Sequence, residues 1–319
     1  MNYIDFETKI FNDAISHLDG RERMIASFYV NKRELITEKI KAYVYDVEKN
    51  KYSLSRLNNL YKQIDRQIAD LLKMSTAEIQ KGFNSIYKNT YYKTAYNIES
   101  DIFTAGSPYS LRFDILNDKA INASLSERIG GHTFSEYMGE NQARLQWQLR
   151  SDVAGAVIEG LPPASLARQL RKIEETTEWS RARVNANART ELLRAYSEAG
   201  ERATADAIDA GVEFTYVWRA SLTLNTRPSH QRADGQTARI IDGKPAFTVN
   251  GVLLSSPRIE HPANTRPPAG EIVNCRCRRS NQPYGFAPTS RAAELESGEW
   301  IDISGKMNYA DWYKKYIDK

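Results

Sequence analysis

The chain has 319 residues, 41% hydrophobic, 26% charged and 10% aromatic, with 44 basic side chains against 40 acidic ones and a formal charge of +4. That composition excludes a disordered or membrane-embedded chain, and the length suits about two domains that each bury a core. Two cysteines cannot build a disulfide framework, and MNYIDFETKI lacks the basic and apolar runs of a secretory leader, so a reducing cytoplasm is expected.

The first third reads as helix. No proline precedes Pro108, and Met24, Ile25, Phe28, Leu35, Ile36, Ile40, Tyr43, Val44 and Val47 recur at three and four residues. A second stripe runs from Leu54 to Leu72. A third opens at Ser75, whose hydroxyl and the Glu78 carboxylate have capping-box spacing, and continues to Ile98. Three helices with short joints predict an antiparallel bundle over residues 1–103. Ten of the 18 tyrosines fall there, and Tyr91, Tyr92 and Tyr96 with Lys88 and Lys93 are expected as an exposed strip.

Residues 104–122, with Gly106 and Pro108, read as a linker or irregular segment. A helical body over 123–211 follows. Thr133 and Glu136 form another capping box before the stripe Leu145, Leu149, Val153 and Val157, stopped by Gly160, Pro162 and Pro163. A short helix over 165–175 and a longer one over 177–210 complete it. From residue 212 to 280 the pattern changes to FTYVWRA, ARIID, KPAFTV and GVLL, short extended segments parted by Asp-Gly, Asn-Gly and proline turns. Residues 281–319 read as a tail with a short helix over 309–316. The predicted class is mainly α, with a small loop-rich β-containing C-terminal module (α+β).

Basic residues change kind along the chain. Residues 1–103 hold 11 Lys and 5 Arg, whereas 104–281 hold 3 Lys and 20 Arg. Within 215–280 ten basic residues face four acidic ones, a local charge of +6, so any attraction for polyanions should concentrate there. Arg232, Arg239, Arg276, Arg278 and Arg279 are the candidate phosphate contacts, insensitive to base sequence and weakened by salt. The other reading is a solvated arginine face paired within the fold.

Both cysteines lie in NCRCRR, Cys275 and Cys277. Residues i and i+2 of an extended chain point to opposite sides, which disfavours a disulfide. Two readings stand: buried thiols in a tight turn, or ligands of a structural zinc completed by His230 and His261. A metal-dependent nuclease centre of His230, Asp234, Asn250 and His261 is a further, catalytic alternative. His17 and His132 are expected at the surface.

Taken in order, Ala188, Arg189, Thr190 and Glu191; Trp218; Thr226, Arg227 and His230; Asp234 and Gly235; Pro245 and Phe247; and Asn274, Cys275, Arg276 and Cys277 resemble the C-terminal domain of phage minor head proteins, the Mu F-like or head-morphogenesis family. The resemblance covers about residues 130–280. In some members a Cys-x-x-Cys pair joins the closing Cys-x-Cys in a four-thiolate zinc site; here Arg227 and His230 stand in its place. The resemblance implies a non-enzymatic protein of the virion head or portal vertex, made in the host cytoplasm without need of a membrane. Portal protein, scaffold or major capsid protein, and double-stranded DNA, are the implied partners. A purely internal portal-docking protein without DNA contact is the second structural reading.

Overall fold

A computed structural model describes residues 3–50, 53–104, 116–128, 131–158, 163–264, 268–283, 290–304 and 307–318. Among them the helices are α1 (Tyr3–Asn50), α2 (Leu54–Thr104), α3 (Asp118–Ser124), α4 (Phe134–Ile158), α5 (Pro163–Asp209), α6 (Pro228–Ala233), α7 (Ala269–Ile272) and α8 (Tyr309–Tyr316). The strands are β1 (Phe214–Arg219), β2 (Arg239–Ile241), β3 (Lys244–Val249), β4 (Val252–Ser256), β5 (Ile259–Glu260), β6 (Arg278–Pro283), β7 (Ser290–Glu294) and β8 (Trp300–Ser304). The mainly helical α+β class is as expected.

Two compact units divide the chain. One gathers Met1–Leu18, Gly82–His132 and Arg189–Lys319; the other gathers Asp19–Lys81 and Thr133–Ala188. Each therefore draws on segments far apart in sequence, unlike the consecutive blocks expected from composition.

The second unit is all helix. Its α1 and α2 segments run antiparallel, since Arg21 pairs with Glu78, Lys32 with Gln67 and Lys39 with Gln63. Ile25, Ile36, Ile40, Leu60, Ile64 and Ile68 are buried there, as the stripes predict. The Thr133 capping box forms in full: Thr133 N–H donates to Glu136 Oε2 at 2.8 Å, and Glu136 N–H to Thr133 Oγ1 at 3.2 Å. The expected box at Ser75 does not. Helix α2 runs straight through it, and Ser75, fully buried, donates its hydroxyl to the Leu71 carbonyl at 2.9 Å. Neither residue there is a glycine or proline, so nothing stops the helix. The break expected near residue 176 is likewise absent, and α5 is continuous. The Val47 and Val157 side chains, Gly106, Pro108, Gly160 and Pro162 lie outside the described residues, as does most of the expected linker.

The first unit carries the β module. β1 pairs antiparallel with β6, placing Trp218 opposite Arg279; β2, β3, β4 and β5 form a four-stranded antiparallel sheet in that order. Asp242-Gly243 and Asn250-Gly251, all four at positive φ, make two of the three hairpin turns of that sheet, as the Asp-Gly and Asn-Gly dipeptides predict. β6 was not anticipated, because its sequence RRSNQP carries no apolar alternation. Glu7 supplies what the strand needs: its carboxylate accepts from Arg278 Nη1 at 3.0 Å, Ser280 Oγ at 2.6 Å and Asn281 N–H at 2.8 Å. The predicted tail is structured too. β7 and β8 form a hairpin, and α8 occupies the expected span, burying Tyr309 and Trp312 against Leu222, Ala293 and Ile303.

Of the expected aromatic strip, Tyr92 and Tyr96 are exposed. Tyr91 is instead fully buried, donating to Asp206 Oδ2 at 2.6 Å. Lys93 pairs with Asp13 and Lys88 with Asp118. His17 and His132 are exposed as expected.

Candidate functional site: a buried thiol and imidazole cluster

Strand β1 ends at Arg219, and the chain turns into α6, where Pro228 occupies the first helical turn with a φ suited to it. This turn is locked by Asp234, whose carboxylate accepts from Ala220 N–H at 2.8 Å and Tyr309 N–H at 2.8 Å. Gly235, at φ 81°, donates its N–H to the Trp218 carbonyl at 2.9 Å. Its positive φ explains why glycine follows Asp234. His230 is thereby held edge-on to Trp218, ring centroids 5.2 Å apart, and Trp218 meets Phe247 the same way at 5.4 Å.

Cys275 and Cys277 approach from the other side, in the turn between α7 and β6. Asn274 stands at φ 60°, its N–H donated to Thr190 Oγ1 at 2.8 Å and its side chain accepting from Arg189. The Cys277 N–H donates to the Cys275 sulfur at 3.4 Å, folding the segment on itself, so the two thiols do not diverge as an extended backbone would require. Both sulfurs lie 3.4 Å from His230 Nδ1. His230 Nε2 lies 3.1 Å from Glu271 Oε2, and Glu271 also accepts from Ser229 Oγ at 2.8 Å and Asn250 Nδ2 at 2.9 Å. Burial alone would raise the Glu271 pKa; hydrogen bonds from Ser229 and Asn250 and the charges of His230 and Arg227 hold it below the usual carboxylate value.

Arg258 completes the cluster from below. It is 1% exposed, at φ 78°, and its Nη1 donates to the Cys275 carbonyl at 3.0 Å and the Cys277 carbonyl at 2.6 Å, while Nη2 donates to Ser197 Oγ at 3.0 Å. Burial resists ionisation of both thiols. Hydrogen bonds from Cys277 and His230, with the Arg258 charge, overcome it at Cys275, whose pKa falls; burial and the neighbouring Cys275 raise that of Cys277.

Among the described residues, His230, Cys275 and Cys277 are the set whose ligand atoms converge, all within 4.8 Å of one another. They border a cavity of about 630 Å³ also lined by Arg189, Arg227, Asn274 and Arg276. His261 does not join them. It accepts the Ala263 N–H at 3.1 Å and lies against the Ile241 carbonyl at 3.3 Å, tying the β5 end to β2. The nuclease set does not gather either, because Asp234 caps backbone and Asn250 serves Glu271.

Glu191 pairs with the buried Arg194 at 2.8 Å. Arg227 donates to the Val273 carbonyl. Arg278 and Arg279 are corrected as phosphate contacts: both are buried, Arg278 on Glu7 and Arg279 on Glu201 at 2.8 Å, because β6 is covered on both of its faces. Arg232 and Arg239 are exposed and Arg276 is half-buried. Sequence reasoning missed Arg258 and Glu271. Neither has a local signal, although Glu271 follows a Pro-Pro-Ala-Gly stretch that marks a turn into NCRC.

Comparison with known proteins gives the following. Residues 147–280 match the family described as Phage Mu protein F like protein, so the resemblance drawn from the motif blocks holds over that segment. The family is a phage head-related, structural one. The chain is 24% identical over 297 residues to NAD(+)-arginine ADP-ribosyltransferase EFV of Enterococcus faecalis, covering 91% of this chain and 56% of that protein. It thus spans about half the length of this curated relative. No solved structure matches. Among the described residues no helix is long and apolar enough to cross a membrane.

Proposed function

From the Mu F-like segment we propose that this chain is a minor head protein of a tailed phage, acting at the portal vertex without catalysis. One observation carries the reading: the family blocks fold onto one another. Arg189 and Thr190 hold Asn274, His230 meets Cys275 and Cys277, and Asp234 fastens the turn between β1 and α6. The polar groups of Arg189, Thr190, His230, Asp234 and Asn274 meet partners inside the fold, which is how a structural module uses such residues. At 24% identity and 56% coverage the match with EFV does not locate transferase activity in the shared segment.

The partners are the portal ring and, within the head, scaffold or major capsid protein. Co-purification from infected cells is expected to recover the chain with portal rings; recovery of free chain alone would overturn the proposal. Contact with packaged DNA would fall to Arg232, Arg239 and Arg276. Three phosphate contacts predict a log affinity against log salt slope of roughly −2.7, lost in the triple alanine variant. Absence of DNA binding at low salt selects the internal portal-docking reading instead.

A further inference from the structure

We propose that Cys275, Cys277 and His230 together bind one thiophilic divalent cation, zinc foremost, leaving a fourth coordination position open to the adjoining cavity. This goes beyond the head role and does not depend on it. In tetrahedral zinc sites with Zn–S of about 2.3 Å and Zn–N of about 2.0 Å, the sulfur and nitrogen ligands stand about 3.5 Å apart. Here a single nitrogen, His230 Nδ1, stands 3.4 Å from each sulfur. One N–H cannot point at two sulfurs equally well, whereas one lone pair and two thiolates can share a cation between them.

The surroundings assign that lone pair. With Glu271 accepting at Nε2, that nitrogen keeps its proton, and Nδ1, which faces both sulfurs, is the one that gives up its proton to ligate when the cation binds. A carboxylate behind the ligating imidazole is the usual orienting partner in metal sites, and Glu271 is itself fixed by Ser229 and Asn250. Arg258 grips the two cysteine carbonyls from the opposite side, so the thiols are turned inward before any ion arrives. All three ligands are buried, yet all three border the cavity with Arg189, Arg227 and Arg276. A closed structural site would need a fourth side chain; here the remaining position faces that cavity and takes water.

The test uses the full chain, expressed with added zinc, purified under reducing conditions and analysed by elemental mass spectrometry. Close to one zinc per chain is expected, and a value near zero overturns the proposal. Cobalt(II) exchange should give a thiolate-to-cobalt charge-transfer band in the near ultraviolet; a cobalt spectrum lacking that band overturns it as well. Cys277→Ser should lower bound zinc at least tenfold, His261→Ala should leave it unchanged, and Glu271→Gln, at a positioning residue, should weaken affinity about 10- to 100-fold. Equal zinc in wild type and Cys277→Ser refutes the assignment. Should that variant fail to fold, thiol titration of the wild type decides: reactive thiols that rise on chelation support the site, and thiols indifferent to chelator overturn it.

Discussion

The two units use arginine in opposite ways. In the helical unit Arg21, Arg33, Arg56, Arg150 and Arg181 form ion pairs in which the arginine is a quarter to a half exposed. In the other unit Arg194, Arg258, Arg278 and Arg279 are buried, each with carboxylate or carbonyl partners. The first kind contributes little, because water and salt screen the pair and long side chains lose entropy on pairing. The second kind is costly to disturb, because removing one partner leaves a charge or carbonyl without water. The helical unit rests on aliphatic burial, and the β module adds buried arginine contacts to an aromatic and aliphatic core around Trp218 and Phe247.

The largest effect should come from Glu7→Ala, which leaves Arg278 buried without its carboxylate and strips β6 of three contacts. A loss of about 3–5 kcal/mol is expected, read as a lowered denaturant midpoint. Next is Arg258→Ala, which frees the Cys275 and Cys277 carbonyls and opens a cavity. At least about 3 kcal/mol should be lost, with both thiols becoming reactive to a thiol reagent. Asp234→Ala orphans the Ala220 and Tyr309 N–H groups and should cost about 1–3 kcal/mol by the same melt.

The helical unit should respond far less. Thr133→Ala removes the cap of α4 at about 1 kcal/mol, seen as faster amide exchange in its first turn. Arg150→Ala breaks its pair with Asp65 at the surface, and a change under about 1 kcal/mol that shrinks further in added salt is expected. If Arg150→Ala proved as damaging as Glu7→Ala, the contrast between the units would fail.

Legibility followed the same division. Apolar stripes named the helices because a helix buries every third or fourth residue whatever lies across from it. Joints expected at Ser75, from its capping-box spacing, and between residues 175 and 177 lack the chain reversal that a real terminus requires; Ser75 bonds back to Leu71 and Thr177 to the Glu174 carbonyl within continuous helix. The dipeptides Asp242-Gly243 and Asn250-Gly251 named two turns because their backbone conformation is local. Within the cluster, His230, Cys275 and Cys277 could be chosen by residue type. Their convergence could not, and neither Arg258 nor Glu271 advertises itself.

By itself the sequence determined the helical class, the change to a β module near residue 212 and the family blocks that match over 147–280, since periodicity, turn chemistry and motif order are local properties. Only the tertiary structure decided that β6 is a buried strand, that Arg278 and Arg279 face Glu7 and Glu201, and that His230 rather than His261 meets the thiols. Those outcomes depend on partners up to 274 residues away in the chain, as in the bond from Asn281 to Glu7, and no local pattern encodes such a partner.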